Sequence, residues 1–325
     1  MSAETEQTKK PEISVVIAVY NSADIFPELY KRLCDALKTI TESFFEIIAV
    51  LDGCTDDSYG VIYKLSLKDK RIRIIEFSRN FGHQASITAG LEFASGEAVV
   101  VMDDDLEDPP EILPDFILKL REGFDVVYGI RRHRKRSLPY RIAYALFYKM
   151  LGKLADIKIP YDAGDFCVMK RSVVEILNEM PEKNRFLRGL RAWSGFEQTG
   201  IEYDRGKRLS GESGYSLRKY LKLAMNGIFS FSYKPLNYIS VMGFIIAMIS
   251  FVSGFCLIVF KLMDKIRDVP GWTSLAVLLL FLTGVQLISI GIIGAYISRI
   301  YDEVKQRPKY VVKRFAGFEK GRKGD

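Results

Sequence analysis

The stretch that decides the fold reads Val99-Val100-Val101-Met102-Asp103-Asp104-Asp105-Leu106-Glu107-Asp108-Pro109-Pro110. Its apolar half predicts a buried strand, and the two prolines end regular strand pairing. The carboxylates that follow the strand repel one another, so a cation is expected to offset their charge. Because ligands of an open α/β sheet lie beyond the carboxyl ends of its strands, a divalent ion that bridges these carboxylates to a phosphate is one interpretation. A solvated acidic turn in which an Asp caps a helix is the other.

Strand and helix patterns alternate on both sides of this stretch. Apolar, β-branched runs predict strands at residues 13–19, 44–51, 72–77, 97–102 and 124–130. The helical patterns between them indicate an α/β domain with a mostly parallel, doubly wound sheet. Asp24 is expected to cap the first helix, whose apolar residues from Phe26 onward recur at helical spacing.

Polar residues follow four of the predicted strands, at Tyr20-Asn21, Asp52-Gly53, Ser78-Arg79-Asn80 and Asp103-Asp104-Asp105. The carboxyl ends of parallel strands meet at one edge of a sheet, where a nucleotide would bind. Any one of these groups alone is more often turn chemistry, but four at equivalent positions favour a shared site. The sequence contains no GxGxxG and no GxxxxGK[ST] motif, which argues against a dinucleotide fingerprint and a P-loop.

An excess of Lys and Arg gives the chain a formal net charge of +7. This charge fits a phosphate-rich ligand, an anionic membrane surface or nucleic acid. The basic run from Arg131 to Arg136 allows nucleic-acid binding, a solvated loop, or binding to phosphate and anionic lipid heads, and the apolar segments downstream favour the last. Four cysteines without a CxxC pair and only two histidines predict no zinc site and a reducing compartment.

Two long segments without charged residues lie late in the sequence, at 236–260 and 269–298. Each exceeds the ~20 residues that a helix needs to cross a bilayer, so they predict a transmembrane hairpin. A pair of buried helices in a soluble protein is the alternative. The nine Lys or Arg against four Asp or Glu from Arg299 onward place both the N-terminal domain and the tail in the cytoplasm.

Two further segments, 138–154 and 217–231, mix large apolar residues with basic ones. Such a pattern is typical of helices at a membrane interface, although a core helix fits the first segment equally well. The polar first eleven residues lack the apolar core of a signal peptide. The predicted division is a disordered N-terminus at 1–11, a sheet domain at 12–214, an amphipathic interface helix at 215–235, two membrane helices at 236–298 and a basic cytoplasmic tail at 299–325.

Together these features resemble the family-2 inverting glycosyltransferases, and among them the group of bactoprenol glucosyltransferases and dolichyl-phosphate mannose synthases. The resemblance covers about residues 12 to 312, and adds Gly164-Asp165-Phe166, Gly284–Gly291 and Tyr301–Pro308 to the motifs above. It implies a GT-A, Rossmann-like fold, a nucleotide-sugar donor, a Mg²⁺ or Mn²⁺ ion and a polyprenyl-phosphate acceptor.

The resemblance also implies roles for individual residues. The donor would be held by Ala18, Tyr20, Asn21, Asp52, Ser78, Arg79, Asn80, Asp103 and Asp104. The metal ligands would be Asp103, Asp105 and Glu107, and the catalytic residues Asp103, Asp105 and Asp165. The acceptor phosphate would be bound by Arg131, Arg136, Arg205 and Arg208.

Four positions depart from the family pattern. The family usually has Gln at Glu107 and a non-acidic residue at Asp104, so this chain carries extra negative charge. That charge is expected either to tighten metal binding or to shift which sugar or metal is accepted. It also usually has Arg at Cys167 and Lys at Gly214. The four acceptor-phosphate arginines are expected to compensate for those two missing cations.

The expected reaction is transfer of glucose from UDP-glucose to undecaprenyl phosphate at the cytoplasmic face of the inner cell membrane. GDP-mannose, UDP-galactose, UDP-N-acetylglucosamine and UDP-aminoarabinose are alternative donors. A phosphate monoester with its second pKa near ~6 is largely dianionic at neutral pH, so Asp165 is expected to position the donor sugar or an arginine rather than to act as a strong base. Membrane lipids and further copies of the chain, as a homo-oligomer, are the other expected partners, with no nucleic acid.

Two other classes of protein compete with this interpretation. A processive polysaccharide synthase would share the fold, but two membrane helices are too few for a translocation pore. The sequence Arg188-Gly-Leu-Arg191-Ala-Trp193 only distantly resembles the QxxRW motif of such enzymes. A non-enzymatic membrane scaffold is the second alternative, and the intact acidic stretch argues against it.

Overall fold

The first of two units in the structure is built on a sheet of eight strands among the described residues. The computed structural model describes residues 10–40, 45–132, 163–204, 206, 233–263 and 271–318. The strands are β1 (Ile13–Val19), β2 (Phe45–Leu51), β3 (Ile72–Phe77), β4 (Ala98–Asp103), β5 (Val126–Arg131), β6 (Ala163–Lys170), β7 (Gln198–Tyr203) and β8 (Val312–Ala316). The helices are α1 (Phe26–Lys38), α2 (Ser58–Lys68), α3 (His83–Phe93), α4 (Leu113–Arg121), α5 (Arg171–Glu179), α6 (Leu187–Trp193), α7 (Lys234–Leu262) and α8 (Trp272–Val304), and a 3₁₀ turn covers Pro110–Ile112.

Parallel pairing dominates the half of the sheet that carries the acidic stretch. The order across the sheet is β7-β5-β6-β4-β1-β2-β3-β8. β1 pairs in parallel with β2 and β4, β2 with β3, and β5 with β7. The pairs β3–β8, β4–β6 and β5–β6 are antiparallel. The predicted α/β class with a mostly parallel, Rossmann-like sheet is therefore confirmed.

The central strands and the first helix show why these sequences fold as they do. Every residue of β1 and β2 is buried, which explains why both are continuous apolar runs rather than alternating patterns. α1 buries Phe26, Leu29 and Leu33 on one side. The prediction that Asp24 caps this helix is wrong, because the N-cap position is Ile25 and no side chain makes a capping hydrogen bond there. The helix instead begins with Pro27 in its first turn, where the missing N–H breaks no hydrogen bond.

Strand register brings the carboxyl ends of β1, β2 and β4 to one level. Ala18 of β1 lies opposite Val50 of β2 and Asp103 of β4. The residues that follow these positions therefore leave the sheet side by side. For these three strands, the register confirms the prediction that the polar residues after the strands share one edge of the sheet.

The second unit contains α7 and α8. Lys234–Cys256 and Val277–Val304 are long and apolar enough to cross a membrane, with mean hydropathies of 2.2 and 2.3. Their most apolar windows are exposed rather than buried, with Phe251 77% and Leu280 75% accessible. Both helices are therefore candidate membrane spans. The predicted interface helices at 138–154 and 217–231 lie outside the described residues.

An ion pair between Asp69 and Arg71 stabilises the turn between α2 and β3. Arg71 Nη2 donates to Asp69 Oδ2 at 2.7 Å, and the Tyr30 hydroxyl donates to the same oxygen at 2.6 Å. Burial alone would raise the pKa of Asp69, but the hydrogen bonds from Arg71 and Tyr30 lower it to about 2. A carboxylate with a depressed folded pKa stabilises the fold above its unfolded pKa of ~3.9 and loses that contribution as pH falls toward the folded value.

Replacing Asp69 by Asn is expected to lower the free energy of unfolding by about 1 kcal/mol at pH 7. A pKa shift of this size corresponds to ~2.6 kcal/mol of folding stability at pH 7 for a fully buried pair. Solvent screening reduces that contribution here, because the Asp69–Arg71 pair is partly exposed. The difference between the variant and the wild type should shrink as the pH falls from about 4 to about 2. Thermal unfolding of the detergent-solubilised chain across this range measures it, with Glu122→Gln at the exposed Lys119–Glu122 pair as the control. An undiminished difference at pH 2 would rule out the ion pair as its cause.

Candidate active site

Asp52, directly after β2, holds the loop of residues 78–82 that follows β3, here called the β3 loop. Its two carboxylate oxygens accept hydrogen bonds from the backbone N–H groups of Phe81 at 2.6 Å and Gly82 at 2.9 Å. Gly53 is needed beside it, since its φ is +63° and a Cβ would lie 2.4 Å from the backbone of the β3 loop. Asp52 and Gly53 therefore fix how closely the ends of β2 and β3 approach each other.

Asp104 joins the end of β4 to the turn after β1. Its Oδ2 accepts hydrogen bonds from the backbone N–H of Tyr20 at 2.9 Å and the hydroxyl of Ser22 at 2.5 Å. Asn21 has a φ of +54°, and its Oδ1 accepts a hydrogen bond from the backbone N–H of Thr55 at 2.8 Å. Asp104 thus supports the turn that presents the exposed ring of Tyr20, and its direct contact with a donor stays a prediction.

The turn after β4 carries the three predicted metal ligands, Asp103, Asp105 and Glu107. Leu106 is buried and has a φ of +58°, a left-handed conformation that bends the chain between the last two carboxylates. The backbone N–H of Glu107 donates to Asp105 Oδ1 at 3.1 Å, and the N–H of Gly206 donates to the Glu107 carbonyl at 3.0 Å. These bonds hold the turn in place, with 34% of the Asp103 side chain exposed at the sheet edge.

Asp108, next in the acidic stretch, is buried against Arg131. Arg131 Nη2 donates to Asp108 Oδ2 at 2.9 Å, and the Tyr203 hydroxyl also donates to Asp108. Burial opposes the charge of Arg131, but Asp108 raises the pKa of the guanidinium above its ordinary value. Arg131, a predicted acceptor-phosphate residue, therefore already has a carboxylate partner, and its role toward the acceptor stays a prediction.

Asp165 on β6 belongs to a row of alternating charges that reaches Asp103. Arg188 of α6 donates to both Asp165 oxygens, from Nε to Oδ1 at 2.7 Å and from Nη2 to Oδ2 at 2.9 Å. His83 Nε2 at the start of α3 lies 3.7 Å from Asp165 Oδ2 and 3.4 Å from Asp103 Oδ1. Only 11% of the Asp165 side chain is exposed. Asp165 therefore contacts an arginine, as the sequence analysis predicted as one of its two possible partners.

These groups shift one another's pKa values. Burial alone would raise the pKa of Asp165, but the Arg188 guanidinium and His83 hold it well below its usual range. Burial lowers the pKa of His83, but Asp165 and Asp103 outweigh that effect and raise it to about 9. Burial raises the pKa of Asp103 to about 6, partly offset by His83 and increased by Asp108 and Asp165. An additional cation beside Asp103 would therefore be electrostatically favoured.

The donor atoms at this edge fit a hard divalent ion. Asp103 and Asp105 supply carboxylate oxygens two residues apart, and Mg²⁺ typically takes one or two carboxylates with the remaining ligands from substrate phosphates and water. Within the described ranges, no group of three or more His, Cys, Asp and Glu side chains is arranged to hold a metal ion. Two carboxylates from one turn suit an ion that takes its remaining ligands from phosphate and water. Glu107, which is buried, stays a predicted third ligand.

The predicted donor-binding residues lie along this same edge of the sheet. Ala18 is buried at the end of β1, and Ser78, Arg79 and Asn80 are exposed at the end of β3. The Arg79 guanidinium lies 4.0 Å from the centre of the Phe81 ring. The structure therefore brings together the nine residues predicted to hold the donor, while their contacts with a ligand stay predictions.

Sequence reasoning did not assign roles to His83 or Arg188. His83 directly follows the β3 loop, so its position was a usable signal. Arg188 lies 23 residues beyond Asp165, and only the packing of α6 against β6 brings the two together. The predicted acceptor-phosphate residues Arg136, Arg205 and Arg208 lie outside the described residues.

Comparisons with known proteins give the family of this fold and site. A family model described as "Glycosyl transferase family 2" matches residues 14–177. The uncharacterized glycosyltransferase YkcC of Bacillus subtilis (strain 168) is 44% identical over 312 residues, which are 96% of each chain. The SfII prophage-derived bactoprenol glucosyl transferase of Shigella flexneri is 39% identical over 93% of this chain and 98% of that relative. Among solved structures, the mannosyltransferase PcManGT from Pyrobaculum calidifontis, in complex with GDP-Man and Mn²⁺, aligns over 93% of this chain and 89% of that chain, with a TM-score of 0.48 and 14% identity.

Proposed function

This chain belongs to glycosyl transferase family 2, and we propose that it transfers glucose from UDP-glucose to a polyprenyl phosphate, in the undecaprenyl form, at the cytoplasmic face of the cell membrane. The observation that carries this proposal is that one chain holds both a carboxylate-lined sheet edge and two candidate membrane spans. The first feature suits a soluble sugar nucleotide, and the second suits an acceptor whose tail stays in the bilayer. The 39% sequence identity to a bactoprenol glucosyl transferase, which extends over 93% of this chain and 98% of that relative, supports both the proposed sugar and the proposed acceptor.

In this proposal the β1–β3 side of the edge holds the nucleotide. Asp52 orders the β3 loop before the donor arrives, so that Ser78, Arg79 and Asn80 lose little freedom on binding. The exposed ring of Tyr20 offers a face on which a base can stack. The bonds from Asp104 to the turn after β1 keep that ring in place.

The acidic turn would hold the diphosphate end of the donor. Asp103 and Asp105 would bind Mg²⁺ or Mn²⁺, with Glu107 as the predicted third ligand. The bound ion supplies charge neutralisation for the leaving diphosphate. Leu106 and the hydrogen bond from the Glu107 N–H to Asp105 keep the turn in one conformation.

The acceptor phosphate would be the nucleophile. One of its oxygens attacks the anomeric carbon, the bond from that carbon to the diphosphate oxygen breaks, and UDP leaves with the electron pair. A dianionic phosphate has no proton to lose, so the reaction needs no general base. Asp165, paired with Arg188, would instead fix the position of the donor sugar. Inversion of an α-linked donor would give a β-linked lipid product.

Membrane attachment would keep this reaction at head-group depth. α7 and α8 are the candidate spans, and the basic residues that follow α8 favour a cytoplasmic tail. Arg131, Arg136, Arg205 and Arg208 stay the predicted ligands of the acceptor phosphate. Assembly of several copies into a homo-oligomer also stays a prediction.

A donor screen tests this proposal. The full-length chain in detergent is mixed with undecaprenyl phosphate, Mn²⁺ or Mg²⁺, and each of UDP-glucose, GDP-mannose, UDP-galactose, UDP-N-acetylglucosamine and UDP-aminoarabinose. Mass spectrometry of the lipid fraction should show hexose transfer from UDP-glucose. Transfer from another donor alone would correct the sugar, and transfer from none would contradict the proposed function.

A further inference from the structure

The segment after α8, residues 307–318, forms a strap along the outer edge of β3, here called the C-terminal strap. Its strand β8 pairs with β3 in antiparallel register, with Phe77 opposite Val312 and Ile74 opposite Ala316. Because the strands run in opposite directions, the beginning of β8 lies at the carboxyl end of β3. The strap therefore starts beside the β3 loop and ends near the amino end of β3.

The beginning of the strap contacts the β3 loop directly. The backbone N–H of Ser78 donates to the Val311 carbonyl at 2.9 Å. The Tyr310 ring stacks on Phe77, with ring centres 4.9 Å apart and planes 16° apart, and Phe77 contacts Phe81 edge-on at 5.7 Å. The strap thus reaches both ends of the β3 loop, one through the backbone and the other through a row of three aromatic rings.

Tyr310 is itself anchored to a neighbouring helix. Its hydroxyl donates to Glu92 Oε2 of α3 at 2.5 Å. The Lys309 ammonium donates to the Met180 carbonyl at 3.2 Å, after α5. These contacts fix Tyr310 and Val311 relative to α3, the helix that the β3 loop enters.

The β3 loop is therefore held from two sides. Asp52 binds the N–H groups of Phe81 and Gly82 from the β2 side, and the strap binds Ser78 and Phe77 from the outer side. Arg79 and Asn80, between these contacts, are exposed, and they follow the carboxyl end of β3, the edge where the donor would bind. Loss of either support would leave their backbone free to take several conformations, and binding would have to select one of them.

We propose that Tyr310 and Val311 are positioning residues for the nucleotide-sugar donor, acting through the β3 loop. The inference rests on the proposed function, because it takes the β3 loop to be part of the donor site. Only Lys305 and Gln306 separate α8 from the strap in the sequence. The segment that shapes the donor site is therefore continuous with a candidate membrane span.

The far end of the strap provides a matched control. Phe318 contacts Phe93 at 5.5 Å and Phe315 at 5.4 Å between ring centres. Arg73, near the amino end of β3, lies 5.6 Å from the same ring. Replacing Phe318 by Ala removes an aromatic ring from the same segment without touching the β3 loop.

The test compares Tyr310→Ala, Tyr310→Phe and Phe318→Ala in the full-length chain, with UDP and GDP as probes in the presence of Mn²⁺. Calorimetric titration should show that Tyr310→Ala weakens binding of the nucleotide that the wild type prefers by about three- to ten-fold, the range that one aromatic contact accounts for. Tyr310→Phe keeps the ring stack and should restore affinity to within about two-fold of the wild type. Phe318→Ala should lower the unfolding temperature and leave nucleotide affinity within the same two-fold range. In turnover assays, Tyr310→Ala should raise KM for the donor and leave kcat at saturating donor nearly unchanged.

Hydrogen exchange provides a readout that needs no nucleotide. Tyr310→Ala should speed amide exchange across residues 78–82, whereas Phe318→Ala should not. Equal nucleotide affinity in Tyr310→Ala and Phe318→Ala, or unchanged exchange at the β3 loop, would overturn the inference while the proposed function stands. A wild type that binds neither nucleotide would overturn the proposed function and this inference together, whatever the exchange rates show.

Discussion

Replacing Asp103 by Asn is expected to reduce kcat for sugar transfer about 10³-fold, since removal of several kcal/mol of charge stabilisation from the diphosphate end of the donor has that effect. Asp103 is the carboxylate that the structure places at the end of β4, next to β1 and 3.4 Å from His83. Burial raises its pKa to about 6, an effect partly offset by His83 and increased by Asp108 and Asp165, so an added positive charge beside it would be electrostatically favoured. The Asn side chain keeps the shape and removes the charge.

The measurement should include a readout that does not depend on turnover. Electron paramagnetic resonance of free Mn²⁺, in the presence of UDP, should show weaker metal binding by Asp103→Asn than by the wild type. Asp115→Asn is the control, because Asp115 is exposed in the first turn of α4 and its loss changes the net charge equally. Wild-type Mn²⁺ affinity and turnover in Asp103→Asn would show that this carboxylate does not hold the ion.

Replacing Asp165 by Asn is expected to raise KM for the donor about ten-fold and to lower kcat at saturating donor by less than about three-fold. The carboxylate is held by two hydrogen bonds from Arg188, and its pKa lies well below its usual range. An efficient general base has a pKa near the working pH, so this ionised group is poorly suited to take a proton. The proposed acceptor, a phosphate monoester that is largely dianionic at neutral pH, also has no proton to give.

A double-mutant cycle with Arg188→Ala separates positioning from base catalysis. If Asp165 acts through its ion pair, Asp165→Asn and Arg188→Ala should each raise KM, and the double variant should be little worse than either single one. A general base would instead show a kcat loss of about 10²–10⁴-fold at saturating donor in Asp165→Asn, steeper at low pH. That result would refute the positioning role.

The first five strands could be predicted from the sequence because most of their residues are buried, which gives continuous apolar runs. β1 and β3 begin and end where the apolar runs predict, and β2, β4 and β5 begin one or two residues later. A continuous β-branched run between turn residues is typical of a buried strand in a parallel sheet. The capping prediction for Asp24 failed because capping depends on backbone geometry at one position, which composition does not determine.

β8 was not predicted, and its sequence explains why. Val312-Lys-Arg-Phe-Ala316 carries two cations and follows a long apolar helix, so it is typical of a charged tail. It becomes a strand because the outer edge of β3 is open to pairing and because Glu76 of β3 binds Lys313 and Arg314. Edge pairing of this kind depends on contacts 237 residues apart, which no local pattern contains.

The candidate site was predictable in its location more than in its contacts. Polar residues after successive parallel strands locate the edge, and the acidic stretch marks where a cation would lie. The sequence does not reveal that Asp108 forms an ion pair with Arg131 and accepts a hydrogen bond from Tyr203, or that Asp165 is paired with Arg188. These pairs join residues of different elements, and their partners are chosen by packing rather than by spacing.

The most direct test of the central claim is the product of one reaction with the purified full-length chain, undecaprenyl phosphate, UDP-glucose and Mn²⁺. Phosphorus and proton nuclear magnetic resonance of the lipid fraction should identify a β-linked glucosyl phosphate diester, formed in equal amount to the UDP released. Release of UDP without a lipid-linked sugar, or a product in which glucose keeps the α configuration, would contradict the claim that this chain is an inverting polyprenyl-phosphate glucosyltransferase.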